Sequence, residues 1–220
     1  MPERTPREYA PGETNMHADP TAGPYPRLAI IVDRPQVARF FQLLQQGVKI
    51  KRRVGLSVDV FLRQEIGAAA ETIEQIQSVM LDGKPVDDIK SALLHDGSTL
   101  ALSAAMPGLV GATLRRGGAY SSFRSAITYS EKETASAPHE GWVSVKIFNL
   151  LMALLGPDLL RTGVLLRSSQ LLGFMAERAA EFRHGLSATL DGRPIDIAML
   201  GGSTELAEND EVFLTVAVVP

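Results

Sequence analysis

Leu81-Asp82-Gly83-Lys84-Pro85-Val86-Asp87 recurs later in the chain as Leu190-Asp191-Gly192-Arg193-Pro194-Ile195-Asp196. Five of the seven positions are identical, and the other two exchange Lys for Arg and Val for Ile. Asp-Gly ahead of a basic residue and Pro is a turn signal, and such turns also arise by chance. The flanks decide whether the match is a duplication. Before the second copy, Val143-Ser144-Val145-Lys146-Ile147-Phe148 reads as a strand, 150–160 as a short helical or loop stretch, and Val164-Leu165-Leu166-Arg167 as a second strand after Gly163. Ser168-Ser169 then caps a helix whose apolar face is Leu171, Leu172, Phe174, Met175 and Ala179, with Gly185 just past its end. A strand over 186–190 enters the turn, and a last strand over 212–219 follows Glu208-Asn209-Asp210.

The first half runs in the same order. A strand over 28–32 leads to an amphipathic helical stretch over 36–45, a break at Gly47 and a strand over 48–54. Ser57 precedes a short helix carrying Val58, Val60, Phe61, Leu62 and Ile66; 76–81 enters the Asp-Gly turn, and 99–104 is the last strand. Two strands, one helix and two further strands form a two-layer unit in which the helix covers one sheet face. The expected fold is α+β, as two tandem β-grasp (ubiquitin-like) domains, each a mixed sheet with one covering helix. The expected boundaries are a disordered, Pro-rich tail over 1–26, a first domain over 27–118, a Ser/Thr-rich linker over 119–141 and a second domain over 142–220. The length of 220 residues, 45% hydrophobic, accommodates two small cores.

The second half resembles the small sulfur-carrier proteins of molybdopterin and thiamine synthesis (MoaD/ThiS-like). The likeness rests on Val145 to Leu151 with Gly156, on Leu190 to Asp196, and on Glu208-Asn209-Asp210-Glu211-Val212 before the last strand. It covers roughly 142–219, and more faintly 28–118. In that family a free C-terminal Gly-Gly is adenylated and converted to a thiocarboxylate. This chain instead ends Val216-Ala217-Val218-Val219-Pro220. The resemblance therefore implies the fold and a protein partner, without sulfur carriage from the C-terminus.

Leu114-Arg115-Arg116-Gly117-Gly118 resembles the tail of a ubiquitin-like modifier, but a long stretch of chain follows it. Together with Met106, Pro107, Gly108, Leu109, Val110 and Gly111 it forms a small-residue-rich segment that serves either as a plain connection or as a partner-binding loop. The leading expectation is a non-catalytic protein that binds another protein through Met106–Gly111 and Arg115–Gly118 and through sheet edges. Two alternatives stand beside it: a sulfur-carrier or modifier precursor activated by cleavage after Gly118, and a small-ligand or cofactor-binding module between the two halves.

With no Cys there is no disulfide framework, thiolate metal site or cysteine nucleophile. His17, His95, His139 and His184 lack helical metal spacing, and no nucleophile elbow, P-loop or dinucleotide fingerprint occurs. No catalytic residues, metal or cofactor are expected. Lys49, Lys51 and Arg53 alternate along one strand face, to be met by solvent or by an anionic partner. A net charge of −3 gives no reason to expect nucleic acid, and no signal-like or spanning segment is visible, so a cytoplasmic location is expected. Asp87-Asp88, Asp191, Asp196 and Glu208 to Glu211 read as turn residues.

Overall fold

The computed structural model of the protein describes residues 23–106, 108–120, 124, 127–130, 137–182 and 186–219. The expected tail falls almost wholly outside them, as do Pro107, His17 and His184. Tyr25 and Pro26, placed in that tail, are docked: Tyr25 meets the Trp142 ring edge-to-face, and the Pro26 carbonyl accepts from the Phe213 amide at 3.0 Å.

The chain is α+β, built on one mixed sheet. Its strands in chain order are β1 (Arg27–Val32), β2 (Val48–Val54), β4 (Ser78–Leu81), β5 (Lys84–Pro85), β7 (Thr99–Ser103), β8 (His139–Phe148), β9 (Val164–Arg167), β10 (Leu186–Leu190), β11 (Arg193–Ile195) and β12 (Glu211–Val218). Two short strands, β3 (Leu56–Ser57) and β6 (Leu93–Leu94), pair separately. The ten-stranded order is β11-β10-β1-β12-β9-β2-β8-β7-β4-β5. Apolar alternation decides which face is covered. Leu28, Ile30, Val32, Val48, Ile50, Val143, Val145, Ile147, Leu214 and Val216 are buried, whereas Ile31, Lys49 and Arg53 lie on the opposite, open face.

The two repeats do not build two sheets, as the sequence leads one to expect. β8, the first strand of the second repeat, lies between β2 and β7, antiparallel to one and parallel to the other. β1, the first strand of the chain, lies between β10 and β12 of the second repeat. Each first strand thus serves the other repeat's half of the sheet. The halves share one sequence of strand senses: β2-β8-β7-β4-β5 and β9-β12-β1-β10-β11 both run antiparallel, parallel, antiparallel, antiparallel.

The duplicated turn shows the exchange atom by atom. Asp82 and Asp191 adopt φ of 50° and 48°, followed by Gly83 and Gly192 at 77° and 78°. Asp is among the few side chains that tolerate this left-handed region, and Gly takes it without penalty. The Asp82 amide donates to the Thr99 carbonyl at 2.9 Å, and its carboxylate accepts from the Thr99 amide at 2.6 Å. Asp191 makes the same pair with Arg27, at 2.9 and 2.8 Å. Thr99 opens the last strand of the first repeat, whereas Arg27 opens the first strand of the chain.

The helices are α1 (Phe41–Gln46), α2 (Val58–Gln64), α3 (Ala70–Gln75), α4 (Gly108–Leu114), α5 (Leu151–Thr162), α6 (Ser168–Glu177) and α7 (Thr204–Ala207). Ser57 caps α2 as expected, its hydroxyl accepting from the Val60 amide at 3.3 Å. At α6 the expected Ser cap is not formed. Arg167 is the N-cap residue, and Ser168 lies inside the first turn with its amide bonded to the Asp210 carbonyl at 2.9 Å. The stretch read as 150–160, helical or loop, is the 12-residue helix α5. One core joins both repeats. Phe40 packs against Phe174 and Phe182 with ring centroids 5.7 and 5.2 Å away, so the first repeat is locked into the second. No helix among the described residues is long and apolar enough to cross a membrane.

Candidate functional site

The segment singled out in the sequence is a helix rather than an open loop. α4 starts at Gly108 with φ of 75°, so the expected insertion loop becomes its first turns. Gly111 is buried against the preceding chain. A Cβ built there would lie 1.7 Å from the Met106 carbonyl oxygen, which makes this glycine a requirement of close backbone approach. A Gly111→Ala variant is expected to push α4 off residues 103–106, raising amide exchange across 108–118 while the global melting temperature falls only slightly.

The outward side of α4 is apolar. Leu109 is 74% and Val110 64% exposed, and Met106 and Ile127 also face solvent. Beside them, Met80, Ala101, Met106 and Phe148 line an apolar pocket of about 280 Å³, with Ser103 and Asn149 also in its wall. Asn149, held at φ of 58°, donates its amide to the Ser103 hydroxyl at 3.0 Å and to the Ala105 carbonyl, tying the chain before α4 to the end of β8.

A residue outside the sequence-based candidates anchors this region. Arg124 sits in the stretch read as linker, yet its side chain is only 4% exposed. Its guanidinium grips Asp87 at two points, 2.6 and 3.0 Å, and donates to the Thr113 carbonyl at 2.6 Å, the Arg115 carbonyl at 3.3 Å and the Thr128 hydroxyl at 2.9 Å. Such a fork binding a carboxylate and the last carbonyls of a helix satisfies nearly all its donors. Asp87 is thus an ion-pair partner and not the local turn residue expected. Asp88 does keep the turn role: the Lys90 amide, then the Ser91 side chain, hold its carboxyl below the usual range.

Asp87 also accepts from the Gly117 amide at 3.2 Å, and the Arg116 amide donates to the Gln77 carbonyl at 2.7 Å. Arg115, Arg116, Gly117 and Gly118 therefore form a fastened turn, Gly117 at φ of 61°, with the Gly118 amide closing on the Arg115 carbonyl at 3.1 Å. Cleavage after Gly118 requires this turn to be drawn out. Further along, the Tyr129 amide donates to the Pro85 carbonyl at 2.8 Å, covering the edge strand β5. β8 begins at His139, three residues before the expected domain start.

The three alternating cations each find a carboxylate: Lys49 with Glu211 at 2.6 Å, Lys51 with Glu140 at 3.3 Å, and Arg53 with Glu65 at 2.7 Å. Arg52, which breaks the alternation, turns inward to the Glu65 and Lys51 carbonyls, and burial lowers its pKa against the opposing pull of Glu65. Between the two halves, where β2 meets β9, lies an open cleft of about 520 Å³ lined by Lys49, Lys146, Arg167 and Glu211 among others. Periodicity could not show this cleft, because its residues come from five strands and two helices. No group of His, Asp and Glu among the described residues is arranged to hold a metal ion.

Comparison with protein-family models, with curated proteins and with solved structures returns no match.

Proposed function

We propose that the chain is a duplicated, intertwined ubiquitin-like (MoaD/ThiS-like) scaffold that acts without catalysis, by binding another protein through α4 and the apolar pocket beside it. The fold reading is supported by the strand senses, because each half has a central parallel pair flanked by antiparallel neighbours, as a β-grasp sheet does. The functional reading is carried by one observation, the outward Leu109 and Val110 on a helix that Arg124 and Asp87 clamp in place. A small exposed apolar group beside a pocket of side-chain size, on a rigid support, is the form of an interaction hot spot. The partner inserts an apolar side chain between Met80, Met106 and Phe148 and covers Leu109 and Val110. No catalytic residue, cofactor or metal enters this reading, and the location it fits is the cytoplasm.

Site-specific photocrosslinking in native cells tests it. A photoreactive residue at position 109 is expected to give one discrete adduct. One at Met199, equally exposed and apolar but in the other half, is expected to give none. Leu109→Asp with Val110→Asp should abolish the adduct and leave thermal unfolding unchanged, because neither side chain is buried. Equal labelling from both positions, or none from 109, overturns the proposal.

A further inference from the structure

β2 and β9 share a single register pair, Lys49 opposite Leu165, whereas β2 and β8 are paired along seven residues. Beyond that one pair β2 and β9 are not joined by further ladder pairs, and the cleft of about 520 Å³ lies along this seam. That volume lies in the range of small-molecule sites, roughly 300–1,000 Å³. Its charge is unusual for a chain of net charge −3: three cations, Lys49, Lys146 and Arg167, face one carboxylate, Glu211. Glu211 is already engaged with Lys49. Lys146 and Arg167 pair through their backbones with β7 and β12, but their side chains make no hydrogen bond or ion pair among the described residues. The Lys146 stem lies across Gly47, whose missing side chain leaves room for it; a Cβ there would stand 3.0 Å from the Lys146 Cε. Packing, not a counter-charge, holds that ammonium at the cleft.

We propose that this cleft binds a small molecule bearing a phosphate monoester, with Lys146 and Arg167 as its anchors. The excess of three cations over one carboxylate matches a dianion, which a phosphate monoester is above its second pKa of about 6. A guanidinium fork takes two phosphate oxygens at once, and an ammonium supplies a point charge beside it. Ser144 and Ser169, also lining the cleft, add hydroxyl donors. A single carboxylate ligand leaves half of the positive charge unmet.

The test is titration of the isotope-labelled full chain at low ionic strength, followed by NMR, with AMP and inorganic phosphate as probes and adenosine and sulfate as controls. Expected are saturable shifts at the Gly47, Ser144 and Ser169 amides with AMP and phosphate and none with adenosine. Lys146→Gln and Arg167→Gln should each weaken binding about tenfold, which is about 1.4 kcal/mol. Glu211→Gln should tighten it several-fold by removing the competing carboxylate, an effect opposite in sign to structural damage. Shifts elsewhere, binding of adenosine, or binding of phosphate and sulfate alike with no response to the three variants (an adventitious ion only) overturns the proposal. The α4 proposal is unaffected by either result.

Discussion

Residues 137–220 expressed alone are expected to give an expanded chain without a cooperative melting transition, although they contain a complete sequence repeat. The physical reason is the position of β1. It lies inside the second half, paired along five residues with β10 and six with β12. Its removal leaves two interior strand edges with unpaired amides and carbonyls facing each other across a gap. It also strips Leu28, Ile30 and Val32, all 1% exposed or less, from the core. Fully burying such side chains is worth about 1.5–3 kcal/mol each, so the loss approaches the whole stability of a small domain, about 5–15 kcal/mol. Residues 23–120 alone face the mirror problem, because they lack β8 between β2 and β7. Co-expression of the two pieces should restore the native spectrum, since between them they carry every strand of the sheet. Circular dichroism melts and amide dispersion read the outcome; a cooperative transition in 137–220 alone would refute the exchanged topology.

The second large effect is expected from Asp87→Ala. It strands a guanidinium that is almost wholly buried and already committed to the Thr113 and Arg115 carbonyls. Breaking a buried ion pair by deleting one partner costs about 3–5 kcal/mol, because the remaining charge is uncompensated. Arg124→Ala is expected to cost less, since the Asp87 side chain is about a third exposed and regains water. The order of the two variants is the discriminating result. Each should also release the 113–118 turn, visible as faster exchange of the Arg116 and Gly117 amides. Equal, small changes for both variants would mean that the pair contributes no more than an exposed salt bridge, about 0–1 kcal/mol.

Several elements were legible in the sequence because their causes are local. The Asp-Gly turns, the alternation in 28–32 and 143–148, the Ser57 cap and the breaks at Gly47 and Gly163 each depend on a few neighbouring residues. α4 was missed because its glycines and the residues around it resemble a connection. Its helical form depends on Gly111 fitting against the Met106 carbonyl and on an arginine anchor close to its end. Arg124 itself carried no signal; a cation in a Ser/Thr-rich stretch looks solvated until tertiary contacts bury it.

By itself the sequence determined that the Asp-Gly turn motif recurs, where the turns fall and which residues of each strand are apolar, because these follow from backbone preferences and side-chain period. It did not determine which half each first strand joins. Leu28-Ala29-Ile30-Ile31-Val32 and Val143-Ser144-Val145-Lys146-Ile147 both bury alternate aliphatic residues, and either pattern suits either half. Only the tertiary structure makes that choice. The stretches 34–46 and 151–162 carry the chain from one half to the other, and the Phe40, Phe174 and Phe182 rings close the core around the crossing. The open seam at Lys49 and Leu165, with the cleft it leaves, follows from that choice and exists in neither repeat alone.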